Sequence, residues 1–273
     1  MKKSIKLTIG IVIFLLLLII IIWGGKNWFS DRDFKLGLLT DQGIGIISVS
    51  KERKMINELT MSPETMIWVP KGLGWYRSDR ILKLLRQENK MSLAEDLFFY
   101  NFGLVPDIVL NSNSFEGWEN NWQLINKWGG LNWLKFKWQE GQMRYKQESQ
   151  KSNFDEILPR DFSDSQMTRE DLKVSIYNAS DNTGLASFMA KVLEWSGLTV
   201  VGVENYPIQI DNCKVVFSEK EKALTGITFL KNRLSECFLE ESAEMSEGNV
   251  EIYFGEKFAQ MLNYQSYKQE FNQ

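Results

Sequence analysis

The chain has 273 residues, of which 25% are charged and 44% hydrophobic, and a formal net charge of −3. This composition is typical of globular domains, and the charge gives no electrostatic reason to expect nucleic-acid binding. The sequence contains no histidine and only two cysteines. Histidine-dependent triads, histidine-ligated metals and four-cysteine zinc sites are therefore excluded. No catalytic residue, cofactor or metal site is predicted.

The N-terminus predicts a membrane anchor. Residues 1–6 include three lysines, and residues 7–23 form an almost purely aliphatic run without charge. A helix of about 17–20 residues crosses most of the hydrocarbon core of a bilayer. A cleaved signal peptide is the alternative, but its apolar region is normally shorter and ends at small residues. The lysines would keep residues 1–6 in the cytoplasm, so everything after Trp23 would lie outside it.

Residues 31–147 predict a first α/β domain. Apolar runs indicate strands at 34–39, 44–50 and 55–61, with a hairpin turn at 40–43. Helical spacing of apolar residues follows at 77–88 and 92–102, the second with Ser92 as its expected cap. Residues 148–171 are polar and predict an inter-domain linker.

Residues 172–262 predict a second, smaller domain, followed by a polar tail at 263–273. The expected element order is β-α-β-β-α-β, with the last helix at Glu219–Phe238, which fits a ferredoxin-like split layout. The fold class predicted for the whole chain is therefore α/β (α+β): a transmembrane helix followed by two extracytoplasmic domains.

A motif in the second domain resembles the C-terminal domain of LytR–CpsA–Psr cell-envelope proteins. A strand ends at Asn178, Gly184-Leu185-Ala186 opens a helix, and Gly197 precedes the next strand. These five residues are expected to be structural, since asparagine tolerates the turn and glycine permits close approach of helix and sheet.

A weaker resemblance to the catalytic domain of the same family covers about 34–145. Aligning the segment 60–70 on its final proline puts Pro63 where the family keeps an arginine, and Glu64 where it keeps an aspartate. In the family, arginines hold a polyprenyl pyrophosphate, because guanidinium groups match phosphate oxygens bidentately. Arg77, Arg80 and Arg86 belong to one predicted helix and are expected to form a solvated face. The resemblance therefore implies a reduced, inactive relative of that domain.

Two further groups of residues leave alternatives open. Trp118, Trp122 and Trp128 crowd one short segment, where they would fill a small core or form a stacking surface for sugars. Five carboxylates of the first domain could in principle supply a glycoside-cleaving pair, but the sequence gives no reason to pair any two of them: Glu64, Asp79, Glu88, Glu95 and Asp96.

The two cysteines predict a disulfide. Cys213 opens the predicted strand 214–217, and Cys237 lies near the end of the predicted helix that follows. Both would lie outside the cytoplasm, where thiols are not kept reduced, and no other cysteine competes. Two buried free thiols are the alternative.

These features favour a single-pass cell-membrane protein that binds or scaffolds in envelope assembly without catalysis. Its predicted partners are the bilayer, through residues 7–23, and envelope glycans or envelope proteins, but not nucleic acid. Transfer of lipid-linked glycopolymers to the cell wall is the enzymatic alternative, and regulation of envelope enzymes through contact is a third possibility.

Overall fold

A computed structural model describes residues 33–50, 55–112, 144–149, 154–245 and 249–264. The predicted tail 1–6 and anchor 7–23 lie outside these ranges. Within them, no helix has the length and apolar character needed to cross a bilayer.

The first domain is built on a five-stranded sheet. Its strands are β1 (Phe34–Thr40), β2 (Gly43–Ser50), β3 (Met55–Met61), β6 (Ile108–Ser112) and β7 (Arg144–Ser149), in the order β6-β1-β2-β3-β7. The predicted hairpin is confirmed: β1 and β2 pair antiparallel, and Thr40 Oγ1 donates a hydrogen bond to the carbonyl oxygen of Gly43 at 2.9 Å. Every residue of β1 and β2 is buried, so both faces of this sheet are covered.

A small hairpin and two helices follow β3. They are β4 (Met66–Val69), β5 (Gly74–Arg77), α1 (Ile81–Gln87) and α2 (Ala94–Phe102). Helix α2 does not begin with the predicted cap, because a 3₁₀ turn at Met91–Leu93 precedes it and no side chain caps its first turn. Asn101 on α2 holds β4 in place: its side chain accepts the N–H of Trp68 at 3.0 Å and donates to the carbonyl oxygen of Trp68 at 2.7 Å.

The segment 148–171, predicted to be an inter-domain linker, instead contributes helices to the first domain. It contains α3 (Phe154–Ile157), a π-helical turn (Leu158–Phe162) and α4 (Ser165–Glu170). Four apolar side chains of this segment are buried in the core of the first domain: Phe154, Ile157, Leu158 and Phe162. They recur at helical spacing, which the polar composition of the segment obscured.

The second domain has its own five-stranded sheet. Its strands are β8 (Lys173–Asn178), β9 (Thr199–Asn205), β10 (Lys214–Phe217), β11 (Phe238–Glu241) and β12 (Asn249–Phe254), in the order β11-β10-β12-β8-β9. Helices α5 (Leu185–Ser196), α6 (Thr225–Arg233) and α7 (Glu256–Leu262) contribute to the apolar core on one face of the sheet. Strands β8 and β9 pair directly and in parallel, so this unit is not split as a ferredoxin-like layout requires.

The region predicted as one long helix, Glu219–Phe238, is divided. Only Thr225–Arg233 is α-helical, and the chain then turns into strand β11, which sequence analysis missed. Strand β11 pairs in parallel with β10, at the register Lys214 opposite Phe238.

The two domains share their packing. Trp68, Phe99 and Tyr100 of the first domain belong to the core of the second, whereas Phe98 and Phe102 of the same helix α2 face the first core. Aromatic contacts cross the junction, with ring centroids 5.8 Å apart for Phe99 and Phe229 on α6. Helix α2 therefore serves both cores at once.

The domains approach each other closely at the end of α2. Gly103 ends the helix in the left-handed conformation, with φ of 64°. Ser196 Oγ on α5 donates to the carbonyl oxygen of Gly103 at 2.7 Å. A Cβ at Gly103 would lie 2.5 Å from the carbonyl oxygen of Val192 and 2.6 Å from the Cβ of Trp195, so only glycine fits here.

Candidate functional site

The turn that carries Pro63 and Glu64 joins β3 to β4. It is fixed by hydrogen bonds rather than by charge: Ser78 Oγ donates to the carbonyl oxygen of Ser62 at 2.7 Å, and the N–H of Asp79 donates to that of Pro63 at 3.3 Å. The backbone carbonyl groups of this loop are therefore already engaged in hydrogen bonds within the protein. Pro63 has no charged group that could bind a pyrophosphate.

The nearby arginines lie on the surface. Arg77 donates to both carboxylate oxygens of Asp79, at 3.2 and 3.0 Å, and Arg80 Nε lies 3.7 Å from the same carboxylate. The side chains of Arg77 and Arg80 are 46% and 62% exposed. One carboxylate thus partly neutralises both arginines at exposed positions. The prediction that they share one helix is wrong, because Arg77 ends strand β5 and Arg80 lies in a 3₁₀ turn before α1.

Three of the five candidate carboxylates form ion pairs with cations. Asp79 pairs with the arginines above, Asp96 Oδ2 lies 2.7 Å from Lys71 Nζ, and Glu95 Oε2 lies 3.1 Å from Arg233 Nη2. These contacts stabilise local structure, and none brings two of the five carboxylates together. Within the described ranges, no group of three or more metal-ligating side chains occurs.

A cavity of about 250 Å³ lies at the junction of the domains. Its lining includes Lys35 from β1, Asp164 before α4 and Arg233 at the end of α6. Asp164 Oδ1 accepts the backbone N–H groups of Gln166 and Met167, and Arg233 pairs with Glu95. Asp164 and Arg233 are thus engaged in hydrogen bonds within the protein. We therefore interpret the cavity as a packing feature of the domain junction and not as a ligand site.

The motif residues of the second domain lie at the end of β8 and at the two ends of helix α5. Asn178 is 6% exposed, and its Oδ1 accepts the N–H and Oγ of Ser180, which closes the turn after β8. Gly184 and Gly197 flank helix α5, while Leu185 and Ala186 are buried in its first turn. These contacts shape the turn after β8 and the two ends of helix α5.

The predicted disulfide between Cys213 and Cys237 is present, with their Cα atoms 4.5 Å apart. The two cysteines immediately precede the parallel strands β10 and β11, and the N–H of Phe238 donates to the carbonyl oxygen of Cys213 at 2.9 Å. Neighbouring strands lie about 4.8 Å apart, which brings equivalent positions within bonding range. The bridge therefore ties strand β11 to the sheet.

The side of the second sheet away from its helices carries a cluster of tyrosines. We call this side the tyrosine face, and its cluster consists of Tyr177 on β8, Tyr253 on β12 and Tyr206 just after β9. Tyr177 and Tyr253 are stacked, with centroids 4.8 Å apart, and Tyr206 meets Tyr253 edge-on at 4.9 Å. All three side chains are partly exposed.

Carboxylates adjoin this cluster. Tyr253 donates its hydroxyl to Glu251 Oε2 at 2.6 Å, and partial burial together with this bond raises the pKa of Tyr253. Partial burial and the charges of Glu251 and Glu204 likewise raise the pKa of Tyr177. Both phenols are therefore protonated at neutral pH and can donate hydrogen bonds.

The tyrosine cluster was not identified from the sequence. Its members are separated by 29 and 47 positions along the chain, and only the strand pairing brings them together. The alternation of β8 and β12 does signal which side chains share a face, but not which strands are neighbours. The predicted surface of Trp118, Trp122 and Trp128 lies outside the described residues.

The described residues thus form two mixed α and β units with a shared core, an α+β architecture in which the second unit has an open aromatic face. Residues 171–258 match the family described as LytR cell envelope-related transcriptional attenuator. This match confirms the resemblance to the C-terminal domain of that family predicted for residues 172–262. The match covers about a third of the chain.

Solved structures give more distant likenesses. The crystal structure of B. subtilis TagU is 14% identical, with 31% of this chain and 36% of TagU covered and a TM-score of 0.25. B. subtilis TagT is also 14% identical, with 76% and 92% covered and a TM-score of 0.27. Lin1025 from Listeria innocua is 9% identical, with 75% and 99% covered and a TM-score of 0.25. No curated protein matches the sequence. The likeness of this chain to a known family therefore rests on the match of residues 171–258.

Proposed function

We propose that this chain is a membrane-anchored, extracytoplasmic protein of cell-envelope assembly that binds its target without catalysing a reaction. The observation that carries the proposal is the open tyrosine face of the LytR C-terminal domain. Three partly exposed aromatic rings with neighbouring carboxylates form a surface with both apolar and hydrogen-bonding groups, which is the usual composition of binding sites.

The absence of catalysis is argued from the first domain. The position of the family arginine holds Pro63, and the nearby Arg77 and Arg80 are exposed and share one carboxylate. A pyrophosphate bound there would lack the desolvated, charge-assisted hydrogen bonds that stabilise its charge. The carboxylate of Asp79 would also repel it.

The membrane location is argued from the sequence. Three lysines precede an uncharged apolar run at residues 7–23, which favours a cytoplasmic N-terminus and an outer C-terminus. A C-terminal reporter that is active only in the cytoplasm should remain silent, whereas one active only outside should work. A cytoplasmic signal would contradict the proposed location.

The absence of catalysis is tested with the full chain and octaprenyl pyrophosphate, the lipid named in a TagT structure. We expect neither hydrolysis nor transfer of the pyrophosphate. Arg77→Ala and Arg80→Ala are the informative variants, with Arg86→Ala as the matched control from the neighbouring helix. Turnover that disappears in the first two variants and persists in the third would show that the protein is an enzyme.

A further inference from the structure

The tyrosine face is organised as rows of side chains that cross the strands. The hydrogen-bond register aligns one residue from each strand in the first row: Phe238, Lys214, Tyr253, Tyr177 and Glu204. A second row lies two residues away along the strands, at about 7 Å, and consists of Glu240, Val216, Glu251, Ser175 and Gly202. The first row is rich in aromatic rings, and the second carries hydrogen-bonding groups.

The two rows carry more negative than positive charge, with three carboxylates, Glu204, Glu240 and Glu251, against one lysine, Lys214. Lys214 pairs with Glu240 at 2.8 Å and lies over the ring of Tyr253 at 5.8 Å. Glu251 and Glu204 adjoin the tyrosine cluster itself. A polyanionic ligand such as nucleic acid or a phosphate-rich polymer would be repelled by these carboxylates, so the surface favours a ligand without net negative charge.

The centre of the face also differs from the core of a protein–protein interface. Such cores are depleted in acidic residues, yet here Glu251 and Glu204 flank the aromatic rings. Of the most exposed apolar side chains of this domain, Val201 at 55% and Phe238 at 65% lie on the edge strands, and Ile208 at 63% lies in the loop after β9. The central surface combines flat rings with hydroxyl and carboxylate groups in adjacent rows.

We propose, building on the binding role above, that the tyrosine face binds a neutral or N-acetylated oligosaccharide. Pyranose rings present apolar C–H faces that pack on aromatic rings, and a belt of hydroxyl groups that donate to carboxylates. Tyr206 and Tyr177 supply ring surface, while Glu251 and Glu204 accept hydrogen bonds from the sugar hydroxyls. The row spacing places both kinds of contact within the width of one sugar chain.

The test is binding of the full chain to an immobilised panel of neutral, N-acetylated and anionic oligosaccharides. The protein is kept in a detergent without a sugar headgroup, because a glycosidic detergent would compete for the site. We expect binding to neutral or N-acetylated members, at least tenfold weaker for Tyr206→Ala and for Glu251→Gln. Leu239→Ala is the matched control, since Leu239 is an exposed apolar residue of β11 that aligns with the core residue Val215 on the opposite face of the sheet, and this variant should bind like the wild type.

Four results would overturn this proposal: no binding to any member, binding to anionic members only, equal binding by Tyr206→Ala, or self-association of the chain that depends on Tyr206. Thermal unfolding of each variant verifies that the fold is kept, and Tyr206 lies beyond the end of β9, where truncation removes no strand residue. The reporter and pyrophosphate assays measure location and turnover independently. A failure to bind sugars therefore leaves the proposed location and absence of catalysis standing.

Discussion

The contact between Gly103 and helix α5 allows a quantitative test of the domain junction. In Gly103→Ala, the left-handed conformation costs about 1–2 kcal/mol for a residue with a Cβ. The new methyl group would also overlap backbone atoms of α5, 2.5 Å from the carbonyl oxygen of Val192 and 2.8 Å from the nitrogen of Ser196. Overpacking of this kind costs about 1–3 kcal/mol, so we expect a total loss of about 2–5 kcal/mol.

Gly72→Ala is the matched control for this substitution. Gly72 has φ of +86°, and a Cβ there would meet nothing within 4 Å. Gly72→Ala should therefore lose only the free energy of the left-handed conformation, about 1–2 kcal/mol. Thermal unfolding of the full chain in detergent, followed by circular dichroism, should show a larger fall in Tm for Gly103→Ala, with about 2–4 °C for each kcal/mol. Equal falls in the two variants would refute the close packing of α2 on α5.

Four other changes should alter stability in the same assay. Gly255→Ala should destabilise strongly, because its Cβ would lie 2.5 Å from the carbonyl oxygen of Asn212, whereas Gly202→Ala, with its nearest atom at 3.7 Å, should be close to neutral. Asn101→Leu should cost about 2–4 kcal/mol, since it removes both side-chain hydrogen bonds to the buried backbone of Trp68, and an unchanged Tm would contradict this role. Reducing the disulfide should cost about 3 kcal/mol, which a variant with both cysteines replaced by serine should reproduce. Raising the pH above about 10 should lower Tm, because the tyrosines ionise at that pH in the unfolded chain but later in the folded one. The fall in Tm should be smaller in Tyr253→Phe, because this variant lacks a tyrosine whose pKa is raised in the folded state.

Local elements of this fold could be predicted because their signals lie within short stretches of sequence. The hairpin of β1 and β2, the strand β8 and helix α5 all follow from apolar periodicity bounded by turn residues. The disulfide was also predicted correctly, although Cys237 was expected near the end of a helix. Cys237 actually lies just before strand β11. This strand has four residues, all exposed, and lacks the apolar alternation by which a strand is recognised in a sequence.

Non-local features could not be predicted in the same way. The direct pairing of β8 with β9 and the insertion of β12 between β10 and β8 depend on contacts among residues far apart in sequence. The segment 148–171 was misjudged because its overall polarity masked four apolar residues at helical spacing. The tyrosine face could not be predicted for two reasons. It depends on the order of the strands in the sheet, and its side chains are only partly buried, so they give no apolar pattern.

The shared helix α2 has a consequence for the order in which the protein can fold during synthesis. Phe99 and Tyr100 emerge with the first domain, but the side chains that cover them belong to residues made much later, including Phe188 and Phe229. Domains commonly fold as they are completed, starting from the N-terminus. Here the first domain would keep an uncovered aromatic surface until α5 and α6 had been synthesised, so chains stalled between the domains should be prone to aggregate or to be recognised by chaperones.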